Sequence, residues 1–300
     1  MQSNSQTTPS GRKGAGLLRL DVAHRSEIGK VRTENQDFSL VSSGPESPGG
    51  GTLMIVADGM GGHRGGATAS RLAATTVQER FAADSLDNPG PALSTAIADA
   101  NRAVFEHAQG NPDLRGMGTT VSVLYARESR AWFSHVGDSR IYRLRQGQLE
   151  QLTQDHSVVA SMVREGLLTD EEAAVHPRRN VLQRSLGVIP DIEIDSGNDL
   201  ELMPGDTYLL CSDGLHGFVG SDSIREALAL PPQDAVDRCI EMAYAAGAPD
   251  NVTAVVCRVE EAPASSRSGK GLGWLWLLVG LGFAGALIWL WSHFGQGVGF

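Results

Sequence analysis

The pattern of hydrophobic positions along residues 18–260 predicts many short strands and two long helices. Short apolar runs that are rich in β-branched residues and bounded by glycine or polar turns are typical of strands. Such runs occur at 18–24, 37–42, 52–58, 119–126, 131–137, 140–145, 148–153, 205–212 and 251–259. An apolar spacing near 3.6 residues predicts helices at 66–82 and 91–108, and shorter helical patterns lie near 223–229 and 233–246.

The order of these elements indicates the fold class. Two consecutive helices precede an antiparallel meander with tight turns, which favours an α+β fold over a doubly wound parallel sheet. A polar, helix-prone insert at residues 157–185 follows the meander. We therefore expect one α+β domain at residues 18–260, after a disordered lead at residues 1–17.

The end of the chain has a different character. Residues 272–291 contain no charged side chain and match the roughly 20 residues that a helix needs to cross a bilayer. Tryptophan, which is enriched at membrane interfaces, lies near both ends of this segment. These tryptophans are Trp274, Trp276, Trp289 and Trp291. The pattern predicts a transmembrane helix, and an unusually apolar helix of a soluble core is the alternative.

The charges beside this segment predict its orientation. A Ser- and Gly-rich linker at residues 261–271 contains Arg267 and Lys270, whereas the tail at residues 292–300 contains neither lysine nor arginine. Because positive charge favours the cytoplasmic side, we expect a single-pass protein whose large N-terminal domain lies in the cytoplasm.

Composition narrows the functional classes. The net charge is −10 and no basic run is present, which argues against a nucleic-acid partner. The three cysteines are widely spaced and form no CxxC pair, so a reducing compartment is favoured over a disulfide framework. We expect Cys211, Cys239 and Cys257 to be small core residues.

Aspartates at the ends of apolar strands, usually followed by Gly or Asn, are the strongest candidates for chemistry. They are Asp58, Asp138, Asp213 and Asp250, and Asp37 joins them from a position just before a strand. A rigid strand brings its carboxylate to a fixed point, where burial is costly unless the carboxylate is paired or binds a cation. Oxygen ligands suit Mg²⁺ or Mn²⁺ rather than zinc. Asp-Gly is also common in simple turns, so these residues alone leave a dinuclear metal site and a set of turn aspartates equally open.

Resemblance to a known family favours the metal site. Eight motifs occur along the chain in the same order as in one known protein family. They are RTENQD, VADGMGGHRGG, GMGTTVSV, HVGDSRIYRL, LTQDHS, NVLQRSLG, LLCSDGL and PDNVTAVV. Over about residues 18–260 the chain resembles the bacterial type 2C (PPM) metal-dependent protein serine/threonine phosphatases. The resemblance implies an αββα four-layer sandwich, in which helices flank two antiparallel sheets. The C-terminal transmembrane helix predicted from hydropathy is additional to this fold. It also implies two bound Mn²⁺ or Mg²⁺ ions and a weaker third.

The family's metal ligands have counterparts in these motifs. By resemblance, Asp58 bridges both metals, and the carbonyl of Gly59 binds one of them. Asp37 resembles the acidic ligand of the second metal, while Asp213 and Asp250 match the residues that complete the shell of the first.

The third metal and the substrate phosphate also have counterparts. Asp138, together with Asp213, resembles the pair that holds the weaker third metal in bacterial members. Arg32 matches the arginine that binds the substrate phosphate, and its forked guanidinium suits this role. Some relatives have an acid where this chain has Gln36, but Asp37 beside it remains available as a ligand.

The implied reaction is hydrolysis of phosphoserine and phosphothreonine in proteins by a metal-activated water. His63 is the candidate general acid, because an ordinary histidine pKa near 6.5 allows proton donation near neutrality; a positioning role is the alternative. His135 and His156 flank motif aspartates and are expected either to support the neighbouring ligands or to be structural. The insert at 157–185 corresponds to the family's flap beside the cleft.

Other functions remain as alternatives. A cysteine-based phosphatase is excluded, because no arginine stands six residues after any cysteine. The remaining rivals are a small-molecule metal phosphoesterase and a membrane-tethered module that binds phosphoproteins without cleaving them. We expect phosphoprotein substrates, a cognate Ser/Thr kinase that the enzyme opposes, and a location at the bacterial inner membrane.

Overall fold

The strands of the protein form two antiparallel sheets. A computed structural model describes residues 18–44, 47–61, 65–84 and 86–262. The strands are β1 Leu18–Glu27, β2 Asp37–Ser42, β3 Thr52–Met60, β4 Gly118–Thr119, β5 Val121–Arg127, β6 Arg130–Val136, β7 Arg140–Arg145, β8 Gln148–Gln151, β9 Asp195–Glu201, β10 Thr207–Cys211 and β11 Val252–Glu261. Sheet A has the order β1–β11–β10–β7–β8, and sheet B has the order β2–β3–β5–β6–β9, with β4 paired to β3.

Helices cover the outer face of each sheet. They are α1 Gly65–Ala82, α2 Pro89–Gly110, α3 Val158–Arg164, α4 Asp170–Ala174, α5 Asp213–His216, α6 Ser221–Ala227 and α7 Pro232–Ala245, with short 3₁₀ turns at Pro48–Gly50 and Pro112–Leu114. The buried residues of α1 and α2 pack on sheet B, and those of α5, α6 and α7 pack on sheet A. The insert after β8 contains α3 and α4.

The alternation of side chains along β3 explains the layers. Leu53 and Ile55 lie in the core beneath α1 and α2, whereas Met54 and Val56 lie in the core between the two sheets. Successive side chains of a strand point to opposite faces, so a strand that is covered on both faces has a continuous apolar sequence. In sheet A, β10 divides its side chains in the same way.

This architecture confirms the predicted pair of antiparallel sheets flanked by helices. The three cysteines are free and buried, as expected of core residues. The sequence pattern does not predict β4, β9 or α5. The β9 sequence DSGNDLE lacks an alternating apolar pattern, while β4 and α5 are too short to give a periodic signal.

Of the five candidate aspartates, Asp58 lies inside a strand rather than at its end, contrary to the expectation from the sequence. Asp37 begins a strand, and the other three lie two residues outside one. Strand β3 continues past Asp58 to Met60, because its last two residues pair with β4. Asp213 is the first residue of α5, which begins directly after the strand β10 and Ser212.

Several predicted segments lie outside the described residues. They are the lead at 1–17, most of the linker at 261–271, the transmembrane helix at 272–291 and the tail at 292–300. Glu261 differs from the rest of the predicted linker, because it is the last residue of β11. Within the residues that the structure does describe, no helix is both long enough and apolar enough to span a bilayer.

Candidate metal centre

One cavity, of about 230 Å³, gathers most of the candidate site residues. It is lined by Arg32, Gln36, Asp58, Gly59, Met60, Gly61, Thr120, Asp138, Asn180, Leu182, Asp213, Asp250 and Asn251. Asp58 comes from sheet B, whereas Asp213 and Asp250 adjoin strands of sheet A. Asp138 lies in the connection from β6 to β7, where the chain crosses from sheet B to sheet A. The site is therefore built from both sheets.

Asp37 lies directly opposite Asp58 in the pairing of β2 with β3. The hydroxyl of Ser212 donates to Asp37 Oδ2 at 2.6 Å and accepts from the backbone N–H of Thr253 at 3.0 Å, which connects sheet B to sheet A. Among the described atoms, Asp37 Oδ1 is buried without a hydrogen-bond partner. A buried carboxylate oxygen that lacks a donor is suited to binding a cation.

The backbone at Asp58 is held by the two threonines of the GMGTT motif. The N–H of Asp58 donates to Thr120 Oγ1 at 2.9 Å, and its carbonyl accepts from Thr119 Oγ1 and from the N–H of Thr120, both at 2.9 Å. The next residue must be small, because a Cβ on Gly59 would lie 2.0 Å from the carbonyl oxygen of Gly66 in α1. Close packing of α1 on β3 therefore fixes the chain that carries the Asp58 carboxylate.

Arg32 lies at the mouth of the cavity and contacts Asp250. Its Nη2 donates to Asp250 Oδ2 at 2.6 Å, and its side chain is 51% exposed. The loop that carries Arg32 is fixed by Asn251, whose side-chain amide bonds three backbone groups within residues 28–36 at distances of 2.8 to 3.0 Å. An arginine whose loop is fixed and whose guanidinium is open to solvent is suited to binding a phosphate.

Burial of the carboxylates, together with their mutual repulsion, raises their pKa values. Burial is the largest cause in each case, and repulsion from neighbouring aspartates adds to it. The pKa of Asp213 rises to about 6, that of Asp37 to about 7 and that of Asp138 to about 8, while the pKa of Asp58 rises well above its ordinary value. A site that takes up protons so readily also favours cations, which compete for the same oxygens.

The donor set fits hard divalent cations. Carboxylate oxygens, with a backbone carbonyl, are the ligands that Mg²⁺ and Mn²⁺ prefer. Within the described part of the chain, no group of three His, Cys, Asp or Glu side chains is arranged to hold an ion as it stands. Asp250, for example, is turned toward Arg32. We therefore expect cation binding to draw the carboxylates of this cavity together.

The predicted ligands Asp58, Gly59, Asp138, Asp213 and Asp250 line this cavity. Asp37 does not line it but lies opposite Asp58 in the strand pairing, and His63 lies outside the described residues. His135 and His156 are buried and bond to neighbouring polar groups, as expected of structural residues. Asn180 and Leu182 place one end of the predicted flap beside the cavity.

Sequence reasoning does not identify the polar residues that support the aspartates. Ser212 orients Asp37, and Asn251 holds the loop that carries Arg32. Adjacency to Asp213 and Asp250 is the only signal that the sequence offers for these two residues.

Comparison with known proteins gives the family of the chain. The family model described as Protein phosphatase 2C matches residues 30–249. The chain belongs to this family. It is similar to the serine/threonine protein phosphatase PstP of Mycobacterium tuberculosis, with 39% identity over 252 residues, which are 81% of this chain and 45% of PstP. It is also 33% identical to protein phosphatase PhpP of Streptococcus pneumoniae over 247 residues, which are 81% of this chain and 98% of PhpP.

A solved structure of a relative shares the fold. The catalytic domain of PstP in complex with two manganese ions has a TM-score of 0.70 and 36% identity, over 81% of this chain and 99% of that domain. The family expected from the motifs is thus confirmed. The chain spans about half, 45%, of the length of the mycobacterial relative that it matches.

Proposed function

We propose that this protein is a metal-dependent protein serine/threonine phosphatase. The observation that carries the proposal is the cavity shared by Asp58, Asp138, Asp213 and Asp250, with Arg32 at its mouth. Clustered carboxylates attract divalent cations, and a guanidinium beside them can bind a phosphate monoester. Membership of the protein phosphatase 2C family supports the same activity.

The proposed ligands of Mn²⁺ or Mg²⁺ are the residues that the motifs indicate. They are Asp37, Asp58, the carbonyl of Gly59, Asp213 and Asp250 for two ions, and Asp138 with Asp213 for a weaker third. When bound, such ions lower the pKa of a water molecule and polarise the phosphate. Asp37 contributes an oxygen, Oδ1, that is buried without another hydrogen-bond partner among the described atoms.

The ion pair of Arg32 with Asp250 has a role in this proposal. At 2.6 Å the guanidinium and the carboxylate neutralise each other. As a metal ligand, Asp250 would turn away from Arg32, whose N–H groups would then be free to donate to phosphate oxygens in a bidentate fashion. Separation of this ion pair would thus prepare Arg32 for the substrate phosphate.

The proposed substrates are phosphoproteins rather than small metabolites. Arg32 is 51% exposed, so a phosphate on a protein surface can reach it without entering an enclosed pocket. The flap residues Asn180 and Leu182, which line the same cavity, can contact residues beside the phosphoamino acid. We include in the proposal that the flap contributes to the choice of substrate.

An assay of Mn²⁺-dependent hydrolysis tests the proposal. The full chain should release phosphate from a phosphothreonine peptide and from p-nitrophenyl phosphate, and chelation should abolish both reactions. A protein that binds the peptide without cleaving it would be the binding module instead. Cleavage of phosphometabolites without cleavage of phosphopeptides would favour the small-molecule phosphoesterase.

We further propose that residues 272–291 tether the protein to the bacterial inner membrane, with the phosphatase domain in the cytoplasm. The support is the uncharged run and the positive charge that precedes it. On fractionation, the full chain should sediment with membranes, and a variant that ends at Glu261 should stay in the supernatant. Recovery of the full chain in the supernatant would contradict the tether.

The proposed partner is a Ser/Thr kinase whose products the phosphatase removes. Phosphoproteomics of a strain carrying Asp213→Asn, compared with the wild type, should reveal phosphoserine and phosphothreonine sites that accumulate. The same experiment identifies the substrates. An unchanged phosphoproteome would contradict the proposed opposition to a kinase.

A further inference from the structure

The turn that carries Asp138 is held by His156, whose side chain is 1% exposed. The backbone N–H of Gly137 donates to the imidazole Nδ1 of His156 at 3.1 Å, and the backbone N–H of His156 donates to the carbonyl of Gly137 at 2.8 Å. Gly137 has a φ of +112°, and a Cβ there would lie 2.5 Å from Thr120. The backbone immediately before Asp138 is therefore fixed in a conformation that only glycine adopts readily.

The hydrogen bond from Gly137 determines the tautomer of His156. Because Nδ1 accepts a hydrogen bond, it carries no proton, and the neutral ring has its proton on Nε2. Nε2 lies 3.1 Å from Asp195 Oδ2, without the alignment of a hydrogen bond. Arg184 already neutralises Asp195 at 2.7 Å, so this carboxylate does not require a charged imidazole.

The backbone on the other side of Asp138 is anchored independently. The carbonyl of Asp138 bonds Nε2 of His216 at 2.9 Å, and the carbonyl of Ser139 accepts from Ser122 Oγ at 2.9 Å. On the N-terminal side the imidazole is the side-chain anchor, beside the backbone bond from His156 to the carbonyl of Gly137. Loss of the imidazole bond would loosen this end of the turn while the other end stays in place.

We propose that His156 is a positioning residue for Asp138, because its neutral Nδ1 sets the Gly137–Asp138 turn and so the geometry with which Asp138 binds a divalent cation. The inference rests on the proposed function, since it takes Asp138 to be a cation ligand. Replacing residues that orient metal ligands commonly weakens metal binding by roughly 10- to 100-fold.

Two substitutions distinguish the roles of the two ring nitrogens of His156. His156→Asn retains an acceptor near the position of Nδ1, whereas His156→Gln retains a polar group near Nε2 and loses the acceptor for Gly137. In calorimetric titrations of the full chain with Mn²⁺ in mild detergent, His156→Gln should weaken the weakest Mn²⁺ site by about 10-fold. His156→Asn should change that affinity by less than about 3-fold, because the bond to the turn is kept.

A double variant shows whether the effect passes through Asp138. Asp138→Asn should weaken the same Mn²⁺ site, and adding His156→Gln should cause no further loss, since residues that act through one another are not additive. The matched control is His176→Gln in the insert. His176 Nδ1 also accepts a backbone N–H, that of Arg178 at 3.1 Å, so the control loses an equivalent bond and should keep wild-type affinity.

The outcomes separate this inference from the proposed function. Wild-type Mn²⁺ affinity in His156→Gln, equal losses in His156→Asn and His156→Gln, or a further loss in the double variant would each overturn the inference. A wild-type protein that binds Mn²⁺ but hydrolyses no phosphoester would contradict the proposed function alone. If His156→Gln does not fold, ¹⁵N shifts of the wild-type imidazole decide, because a protonated Nδ1 would overturn the inference and an unprotonated one would support it.

Discussion

Ser212 illustrates how one hydroxyl supports both the sheets and the site. It is fully buried, donates to Asp37 Oδ2 at 2.6 Å and accepts from the N–H of Thr253 at 3.0 Å. The bond from the hydroxyl stabilises the ionised form of Asp37 and so opposes the effect of burial, which raises the pKa of this carboxyl to about 7. The charge of Asp37 therefore depends on a residue of the opposite sheet.

Removal of this hydroxyl should destabilise the protein. Ser212→Ala removes the hydroxyl that donates to Asp37 Oδ2, and a buried hydrogen bond to a charged group contributes about 1.5–3 kcal/mol. We expect a loss of this size in the free energy of unfolding of the metal-free protein at about pH 8, measured in urea. Ser221→Ala, at the exposed start of α6, is the control. A loss no larger than that of the control would contradict the role of Ser212.

Asp213→Asn should change activity and stability in opposite directions. The neutral amide removes one of several crowded, buried charges, so the Tm of the metal-free protein at about pH 8 should rise by a few degrees, as calorimetry can measure. Mn²⁺-dependent hydrolysis should fall by about 100-fold or more, because a metal ligand is lost. Asp222→Asn, whose side chain is 94% exposed, is the control for both measurements.

His63→Gln should distinguish a general acid from a positioning residue. A serine alkoxide needs a proton as it leaves, whereas p-nitrophenolate is stable without one. We expect hydrolysis of a phosphoserine peptide to slow by about 100-fold, and hydrolysis of p-nitrophenyl phosphate to slow much less. Equal losses on the two substrates would favour a positioning role instead.

The aspartates could be predicted from the sequence, but their supporting residues could not. Motif resemblance identifies Asp58 and Asp250 directly, since each has a fixed neighbourhood of glycines or asparagine. The role of Asn251 depends on contacts with residues 28–36, which are distant along the chain. Nothing in the local sequence of Asn251 indicates that partner.

Among the elements, α1 and β3 make a close backbone contact. A Cβ on Gly59 would lie 2.0 Å from the carbonyl oxygen of Gly66 and 2.7 Å from that of Gln36. Both neighbours are backbone atoms, which cannot move aside as a side chain can. The start of α1 and the strand that carries Asp58 therefore behave as one rigid unit.

Gly59→Ala should push α1 away from β3. We expect a loss of about 3 kcal/mol in the free energy of unfolding, at the upper end of the usual cost of overpacking, together with weaker Mn²⁺ binding. Gly110→Ala is the matched control, because no atom lies within 4 Å of a Cβ at the end of α2. Similar stability of the two variants would show that α1 adapts to the added methyl group.

Whether an element can be predicted from the sequence depends on how many apolar side chains it buries against other elements. The strand β3 and the helices α1 and α2 are predicted because each buries a regular series of apolar side chains. The edge strand β9 is polar and mostly exposed, and it pairs with β6 through backbone bonds that its side chains do not indicate. The helix α5 has only four residues, so its formation depends on packing against sheet A.

For the whole molecule, the carboxylates make stability depend on pH and metal. The folded pKa values of Asp37, Asp138 and Asp213, about 7, 8 and 6, exceed the unfolded value of about 3.9. The stabilisation from these protons is present at low pH and is lost as pH rises through the folded values. The buried His135 and His216 have pKa values lowered to about 4 and about 3, so their opposite effect is confined to the range below about pH 6.5.

The metal-free protein should therefore lose stability between about pH 6.5 and pH 8. Added Mn²⁺ should raise the Tm more at about pH 8 than at about pH 5.5, because the cation replaces protons that leave at the higher pH. Scanning calorimetry with chelator or with Mn²⁺ measures both effects. A metal-free Tm that rises through this range would contradict the assignment of the raised pKa values.

The distribution of the site over both sheets has a consequence for the protein while it is being made. The candidate ligands run from residue 37 to residue 250, and the last of them adjoins the final strand of sheet A. A nascent chain still attached to the ribosome cannot assemble the complete ion site until this strand has emerged and joined its sheet. Hydrolytic activity should thus appear only after Glu261, the last residue of β11, has left the ribosome, and fragments that end before β11 should be inert toward phosphopeptides.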